Sequence, residues 1–90
     1  MRAIVTAGAN GLGRATSICF AKQGYKVLAI DVDTKGCDEL QKISDNELNG
    51  NIIVDINDVG DETIPEKCVN KAIDLFGGID IMVNNAGINN

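Results

Sequence analysis

The chain is 90 residues long and acidic, with 13 Asp and Glu against 8 Lys and Arg, no His, and a formal charge of -5. This length supports one domain with a modest core, and 44% hydrophobic with 23% charged residues is an ordinary globular composition. The negative charge, the scattered cations and the few aromatic residues argue against a nucleic-acid partner.

The first predicted elements are a strand and a helix joined by a glycine-rich turn. Residues 3–6 form a short apolar run, typical of a strand buried on both faces of a parallel sheet. The helix is predicted from apolar residues at helical spacing, which are Leu12, Ala15, Ile18 and Cys19. Ser17 is placed on the opposite side, and Gly24 is predicted to follow the end of the helix.

Two further strands are predicted over residues 26–31 and 51–55, and each ends in an acidic residue, Asp31 or Asp55. The helix between them is predicted to begin at Asp33 or Thr34, either of which can cap it. Its buried face is predicted from the spacing of Cys37, Leu40 and Ile43.

A longer amphipathic helix comes next, with an apolar face formed by Ile64, Cys68, Ala72, Ile73 and Phe76. Pro65 fits only the first turn of this helix, and Gly77 is predicted to end it. Residues 79–83 then read as a fourth buried strand that runs into an Asn-Asn-Ala-Gly turn.

The alternation of strands and helices predicts an α/β fold with a doubly wound parallel sheet in the strand order 3-2-1-4. We expect residues 1–90 to form one partial domain, truncated after the fourth strand. That strand would be a sheet edge with two apolar faces. The 90-residue chain is therefore expected to be poorly stable and to self-associate through this strand.

The three cysteines are odd in number and lack Cys-x-x-Cys spacing, so neither a disulfide framework nor a metal site is indicated. We expect them to be small core residues of a reduced protein. No basic leader precedes the first strand, and no apolar run is long enough to span a membrane. These observations predict a cytoplasmic protein without membrane contacts.

The turn over residues 6–13 has the chemistry of a phosphate site. A helix N-terminus offers free N–H groups and the positive end of the helix dipole, and Gly11 and Gly13 permit close approach to the backbone. The spacing is neither G-x-G-x-x-G, since Thr16 occupies the last position, nor a P-loop. The alternative is a glycine-rich turn without a ligand.

Asp31 ends the second strand, where a carboxylate can accept both hydroxyls of an adenosine ribose and repel a 2′-phosphate. That chemistry favours NAD over NADP. Asp55 and Ile56 could likewise bind the amine of adenine and flank its ring. The alternatives are a solvated strand-end carboxylate for Asp31 and a turn or helix cap for Asp55.

Together these residues resemble the cofactor half of the short-chain dehydrogenases/reductases. Residues 6–13 are similar to the family motif Thr-Gly-x-x-x-Gly-x-Gly, and residues 84–87 are its Asn-Asn-Ala-Gly hallmark. The resemblance covers the whole chain and implies a Rossmann-type fold with NAD as cofactor. For the full-length protein it implies hydride transfer between NAD(H) and an alcohol or carbonyl substrate, and a homo-oligomer.

The resemblance also implies which residues contact the cofactor. Gly11, Leu12 and Gly13 would lie under the pyrophosphate, with Asn10 beside the adenosine. Asp31 would hold the ribose, Asp55 and Ile56 the adenine, and residues 84–87 would support the sheet and line the cleft. The full implied set is Thr6, Gly8, Asn10, Gly11, Leu12, Gly13, Asp31, Asp55, Ile56, Asn84, Asn85, Ala86 and Gly87.

Two departures from the family pattern stand out. Ala7 replaces the first glycine of the motif, which costs about 1 kcal/mol or more if the position needs a positive φ. The catalytic Ser and the Tyr-x-x-x-Lys pair of the family are absent from this sequence, and Tyr25 with Lys26 does not supply that spacing. No catalytic residue is therefore assigned, and the chain alone is expected to be inactive.

Two functions of different classes remain open from the sequence. The first is the NAD-binding portion of a short-chain oxidoreductase. The second is a stand-alone nucleotide-binding module, or a subunit that a partner chain completes. An FMN-binding module is disfavoured by Asp31 and by the Asn-Asn-Ala-Gly turn, and the substrate cannot be read from these residues.

Overall fold

The computed structural model describes residues 1–57 and 64–85, in which strands and helices alternate throughout. The strands are β1 (Arg2–Thr6), β2 (Lys26–Asp31), β3 (Ile52–Ile56) and β4 (Ile81–Asn84). The helices are α1 (Gly11–Lys22), α2 (Thr34–Glu47) and α3 (Ile64–Phe76).

The four strands form one parallel sheet in the order β3-β2-β1-β4, which confirms the predicted α/β class and strand order. Because the strands are parallel, their carboxyl ends meet along one edge of the sheet. Asp31 lies opposite Ile56 in the register, and Thr6 lies opposite Asn84. The polar residues that follow β1, β2 and β4 are thereby brought to a common edge.

The fourth strand begins two residues later than predicted. Ile79 packs against the apolar cluster beneath α3 and does not extend the ladder. Asp80 anchors the start of the strand, since its backbone N–H donates to the Arg2 carbonyl at 2.9 Å and its carboxylate accepts from Arg2 Nε at 2.9 Å. An ion pair therefore fixes where β4 joins β1.

The core consists of two apolar clusters on opposite faces of the sheet. Buried residues of α1 and α2 pack on one face with alternate strand residues, and the cluster contains Val5, Ala21, Val27, Ala29, Leu40, Leu48 and Ile52. α3 covers the other face with a cluster of Ile4, Leu28, Ile30, Cys68 and Ala72. This arrangement follows from the pleat, which sends successive strand residues to opposite faces.

The helix boundaries follow local signals in the sequence. Asp33 caps α2, since its carboxylate accepts from the Gly36 N–H at 3.1 Å, and this settles the prediction of Asp33 or Thr34. Gly24 follows α1 with a φ of 88°, as its predicted position after the helix requires.

The predicted buried face of α1 was partly wrong. Leu12 is 68% exposed, Cys19 is also exposed, and Ser17 is fully buried. The hydroxyl of Ser17 can be buried because it donates to the Gly13 carbonyl at 2.9 Å, so no polar atom is left without a partner. Of the three cysteines, only Cys37 and Cys68 occupy the core as expected.

The edge strand β3 is covered by two polar side chains of α2. Ser44 Oγ accepts from the Ile52 N–H at 2.8 Å and donates to its carbonyl at 2.9 Å. Gln41 Oε1 accepts from the Val54 N–H at 3.0 Å, and its Nε2 donates to the Ile52 carbonyl at 2.9 Å. These bonds use backbone groups of β3 that would otherwise be open to a further strand.

Candidate functional site

The turn between β1 and α1 packs against the sheet too closely for side chains at two of its glycines. A Cβ at Gly13 would overlap the carbonyl oxygen of Ala7. A Cβ at Gly8 would lie 2.9 Å from both Ala29 Cβ and the Val5 carbonyl oxygen. Gly8 and Gly13 are therefore required by the close packing of the turn against the sheet and the start of the helix.

The N-terminus of α1 lacks a side-chain cap. Asn10 occupies the N-cap position, but its side chain makes no capping hydrogen bond and instead donates to Asp33 Oδ2 at 2.6 Å. The first-turn N–H groups of Gly11, Leu12 and Gly13 therefore receive no capping side chain. An uncapped helix N-terminus presents donors and partial positive charge to an anion.

The carboxylate of Asp31 is held in place by backbone donors on both oxygens. Oδ2 accepts from the Ala9 N–H at 3.2 Å, and Oδ1 accepts from the Asp33 N–H at 3.1 Å. Each carboxylate oxygen has two lone pairs, so acceptor capacity remains on both atoms. The side chain is thus oriented before any ligand arrives.

Asp33 supports this arrangement from the start of α2. Its carboxylate accepts from the Gly36 N–H and from the Asn10 amide, and both bonds hold the pKa of this carboxyl below its ordinary value. Asp33 consequently carries its charge throughout the physiological pH range and ties the first turn to the second.

The strand β3 ends with the two predicted adenine-binding residues, Asp55 and Ile56. Ile56 lies opposite Asp31 in the register and is 50% exposed, as an aliphatic side chain at a binding surface would be. Asp55 points to the face covered by α3, where its Oδ1 lies 3.2 Å from Lys71 Nζ. Asp55 is therefore ion-paired with α3.

The end of β4 contributes the other side of the site. Thr6 Oγ1 lies 3.1 Å from Asn84 Oδ1, which links the first motif to the second. Asn85 is buried, and within residues 1–57 and 64–85 its Nδ2 is the buried side-chain atom that has no hydrogen-bond partner. An unpaired buried donor is costly unless a ligand satisfies it. The predicted site residues Ala86 and Gly87 lie outside the described residues.

These groups line one cleft of about 380 Å³ at the carboxyl edge of the sheet. Its walls are Ala7 and residues 10–13 on one side, Asp31 on the second and Asn85 on the third. The cleft is open at Leu12, whose side chain is largely exposed. The structure therefore brings together the glycine turn, Asp31 and Asn85 at this cleft. The other described residues of the predicted site are not among those that line it, namely Thr6, Gly8, Asp55, Ile56 and Asn84.

Ala7 adopts the conformation for which glycine is suited. Its φ is 50°, in the left-handed region that costs an L-residue about 1–2 kcal/mol. The departure from the family motif at this position therefore introduces strain at the wall of the cleft.

The buried thiols take no part in the site. Burial raises the pKa of both Cys37 and Cys68, with a further contribution from Asp31 to the first and from Asp55 to the second. Raised pKa values keep both thiols protonated and weakly nucleophilic at neutral pH. Among the described residues no cluster of potential metal ligands is present.

Comparison with known proteins defines the family. A family model described as short chain dehydrogenase matches residues 1–90. The chain belongs to this family. It is 40% identical over 85 residues to an uncharacterised oxidoreductase of Bacillus subtilis, and this match covers 93% of the chain but 29% of the relative. A 3-oxoacyl-(acyl-carrier-protein) reductase of Thermotoga maritima is 35% identical over 85 residues, with 94% and 34% covered.

Solved structures of similar proteins share the fold. A glucose dehydrogenase of Caenorhabditis elegans matches with a TM-score of 0.84 and 30% identity, over 93% of this chain and 36% of that one. An L-sorbose reductase of Gluconobacter frateurii, solved with NADPH and L-sorbose, matches with a TM-score of 0.85 and 27% identity, over 96% and 33%. The chain thus spans about a third of the length of these relatives.

Three further residues at the site were not singled out from the sequence. Val32 follows Asp31 and is 60% exposed, which leaves a second aliphatic side chain beside Ile56 at the ends of β2 and β3. Ala9 and Arg14 act through backbone and long-range hydrogen bonds. The exposure of Val32 could have been expected from its place after a strand end, whereas Arg14 carries no comparable signal.

None of the described helices is both long and apolar enough to cross a lipid bilayer.

Proposed function

We propose that this chain is the NAD-binding portion of a short-chain oxidoreductase, which transfers a hydride between NAD(H) and an alcohol or carbonyl substrate. The observation that carries the proposal is the position of Asp31. Its carboxylate stands at the cleft wall beside the uncapped N-terminus of α1, with acceptor capacity left on both oxygens. An anion site next to a hydroxyl acceptor matches the pyrophosphate and ribose of a dinucleotide.

The residues of the cleft fit such a cofactor. The free N–H groups at the start of α1 would hold the pyrophosphate, and the missing Cβ of Gly13 lets the turn lie close to it. Asp31 would bind the adenosine ribose, and Ile56 would flank the adenine. Asn85 Nδ2, unpaired within the described part of the chain, supplies a donor for the opposite end. When bound, the nicotinamide supplies the hydride chemistry.

The charge of Asp31 supports NAD over NADP. A 2′-phosphate would meet this carboxylate at close range, and like charges in a partly buried site repel strongly. The cation nearest to this carboxylate in the sequence, Lys35, is exposed on α2. Since an L-sorbose reductase of similar fold was solved with NADPH, the family fold accommodates either cofactor. Selectivity must then come from residues such as Asp31.

We also propose that catalysis requires residues outside these 90. The single tyrosine, Tyr25, stacks on Phe20 with ring centroids 5.0 Å apart, on the α1 side of the sheet. The family resemblance implies a Ser and a Tyr-x-x-x-Lys pair elsewhere in a longer polypeptide, which would be a cytoplasmic homo-oligomer. An intact mass near 25 kDa from the native source would support this proposal, and one near 9.5 kDa would favour the module completed by a partner.

The open edge of β4 supports self-association of the isolated 90-residue chain. Met82 is 45% exposed on this strand, and no side chain of the described residues caps the β4 N–H groups. We expect sedimentation of the 90-residue chain to show oligomers at micromolar concentration. A monomer with one cooperative unfolding transition would contradict this part of the proposal.

The test of NAD binding is calorimetric titration of the longest native polypeptide that contains these residues. We expect NAD to bind more tightly than NADP. Asp31→Asn should weaken NAD about tenfold, the effect of losing one hydrogen bond to a charged acceptor, and should strengthen NADP. Asp38→Asn removes an exposed carboxylate of α2 that pairs only with Lys42 and serves as the control. Equal binding of NAD by wild type and Asp31→Asn would contradict the proposal.

A further inference from the structure

The backbone of Ala9 makes a hydrogen bond on each side of its Cα. Its N–H donates to Asp31 Oδ2 at 3.2 Å, and its carbonyl accepts from Arg14 Nε at 2.6 Å. The residue itself is fully buried. The N–H belongs to the Gly8–Ala9 peptide and the carbonyl to the Ala9–Asn10 peptide, so the backbone of Ala9 links the guanidinium of Arg14 to the Asp31 carboxylate.

Arg14 is in turn anchored to the second helix. Its Nη2 lies 3.2 Å from the Gly36 carbonyl and 3.2 Å from Glu39 Oε2, and its side chain is mostly buried. Three acceptors on two elements fix the guanidinium plane, because its donors have a rigid fork geometry. A lysine ammonium could retain the charge but could not span the same acceptors.

We propose that Arg14 is a positioning residue that sets the preference of the cleft for NAD over NADP. It does so by fixing the Ala9 carbonyl and with it the backbone conformation of Ala9, whose N–H orients the Asp31 carboxylate toward the ribose. The inference rests on the proposed function, since it concerns the selectivity of the same cleft. Arg14 itself touches neither ribose nor phosphate in this account.

The rotational freedom of Asp31 explains why this matters. With both the Ala9 and Asp33 N–H groups in place, each carboxylate oxygen is tied once and keeps its remaining lone pair for the ligand. If the backbone of Ala9 turns once its carbonyl is released, the hydrogen bond from its N–H is lost and the carboxylate can turn away from the cleft. It would then bind the 2′-hydroxyl less well and repel a 2′-phosphate less.

A positioning role and a simple charge role predict opposite changes. NADP carries more negative charge than NAD, so loss of a nearby cation by itself weakens NADP more and raises the ratio of its Kd to that of NAD. Loss of positioning relaxes Asp31 and lowers this ratio. The sign of the change therefore distinguishes the two roles.

The experiment measures Kd for NAD and for NADP on the full-length native protein by calorimetry. The variants are Arg14→Met and Arg14→Lys, and Lys42→Met is the matched control. Lys42 is an exposed cation of α2 that pairs with Asp38 at 3.2 Å. Thermal unfolding of each variant establishes that it is folded. Arg14→Lys keeps the charge, so the test stands even if Arg14→Met fails to fold.

We expect Arg14→Lys and Arg14→Met each to lower the ratio of Kd for NADP to Kd for NAD by about tenfold, corresponding to one charged hydrogen bond. Lys42→Met should leave the ratio unchanged. In an Asp31→Asn background, Arg14→Lys should no longer alter the ratio, because the carboxylate it positions is gone. A purely structural role would lower the unfolding temperature without this dependence on Asp31.

An unchanged or raised ratio in Arg14→Lys would overturn the inference. That result differs from a failure of the proposed function, in which the wild-type protein would bind neither dinucleotide or would show no preference. If Arg14→Lys kept the wild-type ratio of Kd for NADP to Kd for NAD while Arg14→Met raised it, Arg14 would act through its charge. That result would also overturn the inference.

Discussion

The two outer edges of the sheet are built differently. Along β3, Gln41 and Ser44 of α2 bond to the N–H and carbonyl of Ile52 and to the N–H of Val54, which hinders the pairing of a further strand with this edge. Along β4, the described residues provide no such cap, and Met82 is partly exposed. Within residues 1–57 and 64–85, helix side chains therefore cover backbone groups along β3, and none covers those along β4.

The same contrast runs through the cleft. On the side of β1 and β2, the Asp31 carboxylate is tied by two backbone N–H groups before any ligand binds. At the end of β4, the buried amide nitrogen of Asn85 has no partner within the described residues. The carboxylate of Asp31 is thus preorganised, whereas at the end of β4 the described residues leave a buried donor unpaired.

The largest effect is expected where the preorganised side is packed most tightly. Gly13→Ala places a Cβ on the Ala7 carbonyl oxygen and should lower the free energy of unfolding by about 3 kcal/mol or more. Gly24→Ala is the control, because its Cβ would meet no atom within 4 Å and only its φ of 88° is unfavourable. The control should cost about 1 kcal/mol. If urea unfolding showed that Gly13→Ala and Gly24→Ala lower the free energy of unfolding equally, close packing would not exclude a side chain at Gly13.

Removal of the β3 cap should have the next largest effect. Ser44→Ala leaves the buried Ile52 N–H without its acceptor, which should cost about 1–3 kcal/mol of unfolding free energy. Asn46→Ala, at an exposed position of the same helix, should change stability by about 0.5 kcal/mol or less. If the two variants unfold at the same urea concentration, side chains do not close the β3 edge and the contrast with β4 fails.

The substitution Ala7→Gly is expected to have a smaller effect, and to raise the free energy of unfolding rather than lower it. Ala7→Gly relieves the positive φ of 50° and should raise the unfolding free energy by about 0.5–1 kcal/mol after the entropy cost of glycine. Ala15→Gly, at an exposed position within α1, should instead lower it by about 1 kcal/mol. Chemical unfolding of both variants tests the sign. A loss of stability in Ala7→Gly would mean that the turn stores no strain.

The smallest effect is expected from the charge of Asp33. Its folded-state pKa lies below the ordinary value of 3.8, so its contribution to stability is present above that pH and is lost as pH falls through the lowered pKa. In Asp33→Asn, which can still cap α2, this contribution is absent. The stability difference between wild type and variant should therefore shrink from pH 6 to pH 3 in unfolding measurements. A difference that is constant with pH would contradict the assigned hydrogen bonds.

Sequence reasoning succeeded where the signal is local or periodic. The strand order follows from the alternation of elements, and the Asp33 cap follows from its place before an apolar helical pattern. The cleft was anticipated because the parallel topology brings the ends of β1, β2 and β4 together. The sequence predicted strain at Ala7 only if this position needs a positive φ, and its φ of 50° meets that condition.

The errors arose where tertiary contacts override the pattern. Ser17 was assigned to the polar face, but a hydrogen bond to the Gly13 carbonyl allows its burial. Cys19 follows the same apolar spacing and is exposed, since α1 is covered only along the strip that meets the sheet. Arg14 could not be recognised, because its partners Ala9 and Gly36 come together only in the folded chain.

The most direct test of the account is ¹⁵N amide chemical-shift mapping of the full-length native protein titrated with NAD. We predict the largest changes in chemical shift at the backbone amides of residues 8–13 and of Asp33, and at the side-chain amide of Asn85. The capped edge of β3, including Ile52 and Val54, should be unaffected. Changes centred on that edge or on the outer face of α2, with none in the glycine turn, would contradict the assignment of the cleft as an NAD site.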